Sequence, residues 1–371
     1  MAAEVIKEWN LFHQVAVPLE GAAPVKGLKR DRPVSAGELL ARHPDQLTGD
    51  VHASISGLVT EISEFEVIIR RDSEAVGEPP APAALTGLAP LELARALTEL
   101  GLSLPQLLPD EPFIIAALNP EPGLTAAPAL FGERRETVLD GLEVLRRLYP
   151  GTRAVWAVTR PQDAPEGADL VRVKGRYPHS LPYFLKKQIT GVDDPDRRGV
   201  FGGRALYLLG RAWRTGLPLT RTVLTLGGAH YFVPVGARII DLLTFANLAP
   251  GPGDVAVRDG LVRGAALSRL ERGLSRSTAA LHLFKGGAAA RGYQPCRSCR
   301  RCGRACPLGL PVPALGRLRP EEWLGARGDL LTPLKDCIIC GACALACPAR
   351  RPLMSLARLA GRVGSPTTFD I

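Results

Sequence analysis

Two stretches near the C-terminal end of the chain carry the same cysteine spacing. Residues 295 to 307 read PCRSCRRCGRACP and residues 336 to 348 read DCIICGACALACP, each a C-x2-C-x2-C-x3-C-P run. All eight cysteines of the 371-residue chain lie in these two runs, and the first 295 residues hold none. A disulfide framework would spread its cysteines along the chain, so these thiols read as metal ligands.

A [4Fe–4S] cubane needs four thiolates converging on four corners. In paired runs of this kind the first three cysteines of each serve one cluster and the fourth crosses to the other. The spacing therefore predicts one cluster on Cys296, Cys299, Cys302 and Cys347, and a second on Cys337, Cys340, Cys343 and Cys306. Structural zinc takes paired C-x2-C knuckles and has no use for a third cysteine at that spacing. Pro307 and Pro348 are expected to keep the preceding cysteine out of helical geometry and to open the next helix. Gly341 is expected to bring the backbone close to the inorganic sulfides.

The two runs differ in charge. Arg297, Arg300, Arg301 and Arg304 crowd the first, whereas Ile338, Ile339 and Leu345 make the second apolar. From Arg291 onward there are 12 Arg and one Lys against five acids, a net +8 of the chain's formal +9. Cations beside the first cluster would favour the negative charge that reduction adds, giving it the higher potential, and would present a face for an acidic partner. A merely solvated basic face is the alternative. Nucleic-acid binding is not expected, because little aromatic residue is interleaved with the basic ones.

Upstream, residues 34 to 72 read as strands: GDVHASISGLVTEISEFEVIIRRD alternates with β-branched residues, with Gly57 suited to a tight turn. The Pro- and Ala-rich segment 73 to 87 reads as a linker. Helices and buried strands then alternate through PFIIAAL, ERRETVLDGLEVLRRLY, TRAVWAVT, LPYFLKKQITG and GGRALYLLGRAWRTG, which suggests a mainly parallel sheet. From Pro218 strand periodicity returns and ends in a short helix, as in a β-grasp module. No run approaches the roughly 18 apolar residues of a membrane span, and the first residues lack an apolar signal-peptide core. A cytoplasmic protein is expected. His52 reads as a packed strand residue without chemistry.

In this order of parts the chain resembles the C subunit of the Rnf electron-transport complex. VPLEGAAP and VHASISGLV are similar to that family's N-terminal barrel-sandwich domain. NPEPGLTAAPALFGERRETVLDGLEVLRRL is similar to its flavoprotein-like segment, and YPHSLPYFLKKQITG stands where the family has a YPxGxxxQL pattern. GLPLTRTVLTLGG and VPVGARIIDLL are similar to its β-grasp, soluble-ligand-binding module.

The resemblance implies a multidomain α/β and α+β protein with five segments. They are a barrel-sandwich (1–72), a linker (73–87), a complex I flavoprotein-like α/β domain (88–216), a β-grasp module (217–275) and a helical two-[4Fe–4S] ferredoxin-like domain (276–371). It implies an electron-transfer subunit, peripheral on the inner face of the cell membrane, partnered by the membrane subunits of an Rnf-like complex and by an acidic redox protein such as a ferredoxin or flavodoxin.

It also implies FMN and NADH sites, but the chain departs from the family there. The glycine-rich phosphate loop is replaced by ELARALTELGLSLPQLLPDEP, which has one interior glycine and no lysine. Such a loop needs several glycines to turn successive N–H groups toward an anion, so this replacement argues against FMN and NADH binding. Within NPEPG, Glu121 is the one remaining acid, either a remnant of the flavin site or an ordinary turn residue before Pro122. His179, Ser180 and Leu181 replace nucleotide-holding residues of the YPxGxxxQL region. A flavin- and NADH-dependent reductase, such as a cobalamin reductase, and a scaffold with structural clusters are the alternative functions.

Overall fold

The computed structural model describes residues 6–10, 12–45, 47–72, 79–104, 107, 111–160, 164–193, 198–286, 292, 294–318, 334 and 336–360, with the side chains of 359 and 360 excepted. Part of the linker (73–78), part of the segment replacing the glycine-rich loop (105, 106 and 108–110), and Arg291 and Lys335 of the basic tail lie outside the described residues.

β1 (Ile6–Glu8) belongs to a sheet formed much later in the chain. The next strands are β2 (Gln14–Pro18), β3 (Ala23–Pro24), β4 (Pro33–Val34), β5 (Leu39–Arg42), β6 (Val51–His52), β7 (Gly57–Ile62) and β8 (Glu66–Arg71). They form two antiparallel sheets, β2–β8–β7–β4 and β3–β5–β6. Gly57 is not at a turn. It opens β7 opposite Arg71, and a Cβ there would lie 2.0 Å from the Arg70 carbonyl oxygen, so glycine is required by close strand approach. The chain reverses at Ser63–Glu66, where the Ser63 N–H donates to the Glu66 carbonyl at 3.0 Å and the Glu66 N–H to Ser63 Oγ at 3.1 Å.

The second unit contains α1 (Pro90–Glu99), β9 (Phe113–Ala116), α2 (Ala127–Glu133), α3 (Arg135–Leu148), β10 (Ala154–Val158), β11 (Asp169–Arg172), α4 (Pro182–Thr190), β12 (Val200–Gly202) and α5 (Gly203–Thr215). Its sheet, β11–β10–β9–β12, is parallel throughout, as the alternation of strands and helices predicts. Phe113, Ile115, Trp156 and Val158 point to the core shared with α1, α2, α3 and α5, while Ile114, Ala116, Val155 and Ala157 pack on the other face with Leu185 of α4. Both faces are buried, which is why these strands read as unbroken apolar runs.

β13 (Arg221–Leu226), β14 (Ala229–Pro234), α6 (Ile239–Phe245), β15 (Val255–Arg258), β16 (Ala265–Ala266) and β17 (Ala280–Phe284) follow. With β1 they make a mixed sheet in the order β1–β14–β13–β17–β15–β16. The sheet thus extends to Phe284, beyond the boundary at 275, because Ala280–Phe284 pairs with both β13 and β15. Its two faces join different cores. Val223 and Phe232 pack with the parallel-sheet unit, whereas Leu224, Leu226 and Val233 pack with the N-terminal sheets. Arg276 ties the units together. Its Nη1 donates to the carbonyls of Gly49, Asp50 and Gly101 at 2.6, 3.1 and 2.9 Å, and its Nε donates to Glu20 at 2.9 Å.

The last unit holds α7 (Arg301–Ala305), α8 (Val312–Arg317), α9 (Ala342–Leu345) and α10 (Leu353–Ala360) around Val312, Leu315, Leu334, Ile339, Leu353 and Leu356. Cys306 is extended before Pro307, with φ −73° and ψ 115°, as a residue preceding proline should be. Neither proline opens a helix: both sit in turns, and the next helices begin only at Val312 and Leu353.

Candidate metal centres

The two cysteine runs repeat in backbone as well as in sequence. Ser298 and Arg300 have φ of 51° and 56°, and the matching Ile339 and Gly341 have 53° and 73°. Cys299 and Cys340 are therefore each flanked by two left-handed residues, a conformation costing roughly 1–2 kcal/mol per non-glycine residue. The same winding is repeated in both ladders. Cys302 and Cys343 then ride on the short helices α7 and α9.

The thiols fall into two neighbourhoods that exchange their last members. Burial chiefly raises the pKa of Cys302, with further upward contributions from the thiolates of Cys347 and Cys296. Burial likewise pushes Cys343 up to about 12, reinforced by Cys340, Cys337 and Cys306. The pKa of Cys340 is raised by burial first, and Cys337 and Cys306 add to it. Cys347 thus neighbours the first run, and Cys306 the second.

Cys296, Cys299, Cys302 and Cys347 line one cavity of about 330 Å³. That is some ten times the ~30 Å³ share of a water molecule, room for a polynuclear group. Among the described residues, no three His, Cys, Asp or Glu side chains converge on a point that would hold a single metal ion. The donor set is all thiol, which suits iron–sulfur chemistry.

The surroundings of the two neighbourhoods differ. Cys299 is exposed, as are Arg297, Arg300, Arg301 and Arg304, and Arg317 and Arg351 line the cavity. Cys340 is 7 % exposed, and with Ile338 it packs against Leu181, Tyr183 and Phe184 of the parallel-sheet unit. The Tyr177 hydroxyl donates to the Cys340 carbonyl, and burial raises its pKa. Gly341 faces Val262, whose Cγ1 would lie 2.7 Å from a Cβ at that position. Glycine is needed there for the left-handed turn and for this approach. Leu345 departs from the apolar picture, being 66 % exposed.

Glu121 and Tyr177 lie on the segments that follow β9 and β11, at the carboxyl edge of the parallel sheet, where such sheets present their ligand-binding loops. Glu121 is 6 % exposed, and its Oε1 accepts the N–H groups of Val262 and Arg263. Burial raises its pKa against the opposing pull of those bonds. Ser180 Oγ donates to the Pro120 carbonyl at 2.8 Å, Leu181 packs at the second run, and His179 lies 5.2 Å from the Phe184 ring. His52 is buried in β6, and burial lowers its pKa to about 4, so it is the neutral packed residue expected. Tyr177, Val262 and Arg263 have no sequence signal that marks them as neighbours of a cysteine run. They come together only through pairings between distant segments.

Among the described residues no helix is long and apolar enough to cross a membrane. A family model for a 4Fe-4S dicluster domain matches residues 295–351. The chain is similar to the C subunit of the ion-translocating oxidoreductase complex of Rhodobacter capsulatus, at 25 % identity, with 84 % of this chain and 71 % of that protein covered. It is also similar to the protein of the same name from Yersinia pseudotuberculosis, at 29 % identity over 53 % of this chain and 32 % of that protein.

Proposed function

We infer that this chain, which belongs to the family of C subunits of Rnf-type ion-translocating oxidoreductase complexes, is an iron–sulfur electron-transfer subunit that carries single electrons through two [4Fe–4S] clusters. The observation that carries the reading is the one cavity lined by Cys296, Cys299 and Cys302 of the first run together with Cys347, the last cysteine of the second. It supports Cys296, Cys299, Cys302 and Cys347 as ligands of one cluster, and Cys337, Cys340, Cys343 and Cys306 as ligands of the other. When bound, the clusters supply one-electron redox chemistry. The protein supplies thiolates, closes one centre from water and leaves the other at the surface.

The exposed arginines beside Cys299 form the face on which an acidic redox protein, a ferredoxin or flavodoxin, docks. Direct use of FMN and NADH is disfavoured. Where the family has its glycine-rich loop, α1 commits its N–H groups to its own helical ladder, and Glu121 is engaged by backbone donors. The N-terminal sheets correspond to the barrel-sandwich, the parallel-sheet unit to the flavoprotein-like domain and the mixed sheet to the β-grasp module. The subunit sits peripherally on the inner face of the membrane, against the membrane subunits of its complex.

Iron, sulfide and flavin analysis of anaerobically purified protein tests this. About eight iron and eight sulfide per chain, little flavin, and reversible reduction by a reduced ferredoxin but not by NADH are expected. Four iron or fewer would contradict the two-cluster reading. Stoichiometric flavin with bleaching by NADH would restore the dehydrogenase.

A further inference from the structure

A cavity of about 1050 Å³ opens where the N-terminal sheets, the parallel-sheet unit and the mixed sheet meet. Small-molecule sites favour such junctions between units, and this volume lies at the upper end of their range of roughly 300–1,000 Å³. Neither cysteine run contributes to its lining, and neither does Glu121. It is therefore separate from the centres described above.

The basic wall of the cavity comes from β15 and from the segment that follows β16. Arg258, Arg269 and Arg272 all line it. Arg269 is exposed and makes no hydrogen bond or ion pair among the described residues. Arg272 is half-buried, with its guanidinium carbon 4.9 Å from the centre of the Phe65 ring, and it too has no carboxylate partner among the described residues. Arg258 reaches Asp259 at 3.8 Å, a loose contact between partly exposed side chains.

The segment that carries Arg269 and Arg272 is firmly seated. The carbonyls of Leu270, Arg272 and Leu274 accept the N–H groups of Ile240, Ile239 and Gly236 at 2.8, 3.1 and 2.8 Å. Leu267, Leu270 and Leu274 pack into the core shared with the N-terminal sheets. A fixed backbone leaves less freedom to lose when these side chains meet a ligand.

Three carboxylates share the cavity, and they do not neutralise this wall. Glu20 is taken by Arg276 at 2.9 Å and by the Ser275 hydroxyl. Glu64 and Glu66 flank Phe65 at the turn between β7 and β8, and neither forms an ion pair among the described residues. Guanidinium groups held side by side without carboxylate partners favour an anion, whose paired oxygens match the guanidinium fork.

We propose that this groove binds a small organic dianion, a phosphomonoester or a dicarboxylate, gripped by Arg269 and Arg272, with Arg258 adding to the attraction. The site is independent of the two-cluster reading. Glu64 and Glu66 oppose the ligand's charge from the hairpin tip and set an upper limit on its affinity.

Calorimetric titration of the full, cluster-loaded chain with glycerol 2-phosphate and with succinate tests the proposal. Saturable binding of one ligand per chain is expected, and the tighter probe distinguishes phosphate from carboxylate as the recognised group. Arg269→Gln should weaken it about tenfold, and adding Arg272→Gln should weaken it further. Glu64→Gln should tighten it, because a repulsive charge is removed. Replacing Arg300 and Arg301 of the basic tail by Gln should leave it unchanged. Arg269 is exposed, so its single variant decides the matter even where Arg272→Gln disturbs the hairpin contact. Absence of saturable binding by both probes would overturn the proposal. So would binding that survives Arg269→Gln unchanged, or that disappears with the tail arginines instead.

Discussion

The two cysteine loops share one backbone and occupy opposite environments. Around Cys299 the left-handed positions hold Ser298 and Arg300, both exposed, and the charge beside them is free to be screened by salt. Around Cys340 the same positions hold Ile339, which is 6 % exposed, and Gly341, which admits Val262. The first loop faces outward and the second faces a neighbouring unit. The contrast teaches that the number of cations in a segment is a poor guide to their electrical effect. Four exposed arginines surround the first loop, where water and salt screen them. The first run is open to solvent at Cys299, while Cys340 of the second is covered by the parallel-sheet unit.

The contrast breaks first if the two centres are equally accessible. Under a membrane-impermeant iron chelator with mild oxidant, iron should leave in two phases. The exposed centre should be stripped on the order of tenfold faster, the ratio imposed by local opening worth about 1.4 kcal/mol. Optical bleaching at matched times checks this, and a single phase would mean that the second centre is not closed.

A change far from both centres should leave the contrast standing while weakening the fold. Arg276→Met removes charge-assisted bonds to three carbonyls and Glu20 and should lower stability by about 2–4 kcal/mol, read by denaturant unfolding. Both potentials should stay where they are. A moved potential would mean that the tie at Arg276 reaches the cysteine-bearing unit.

The smallest effect belongs to the exposed cations. Replacing Arg300 and Arg301 by Gln should lower the first potential by only roughly 20 mV, less at high salt. The same pair should matter more for encounter: association with an acidic ferredoxin should slow and lose much of its dependence on ionic strength, measured by stopped flow. A first-centre shift of about 60 mV or more would mean that these cations escape screening.

Much of this architecture was legible from local pattern. Unbroken apolar strands such as Phe113–Ala116 and Ala154–Val158, set between amphipathic helices, mark a sheet covered on both faces, and the sheet is parallel. β12 was not legible, because three residues, Val200–Gly202, carry too little periodicity to register. Gly57 shows how one residue type serves two needs: the sequence suggests a turn, whereas the strand requires close approach to Arg70. The cysteine spacing announces metal chemistry by itself. The environment of the second run was only half readable. Its apolar residues predict burial, which holds for Ile338 and Ile339 and fails for Leu345. The residue that closes over Gly341 is Val262, 75 residues before Cys337, on a loop fastened by Glu121, 141 residues before Val262. No local periodicity encodes such a pairing.

The central claim is that the fourth cysteine of each run serves the other run's centre. EPR of dithionite-reduced Cys306→Ser, recorded beside Cys347→Ser, tests it most directly. Cys306→Ser should damage the signal assigned to the centre of Cys337, Cys340 and Cys343 while leaving the centre of Cys296, Cys299 and Cys302 in place, and Cys347→Ser should do the reverse. If each substitution instead removed the centre of its own loop, the runs would be independent sites and the crossing of ligands would be contradicted.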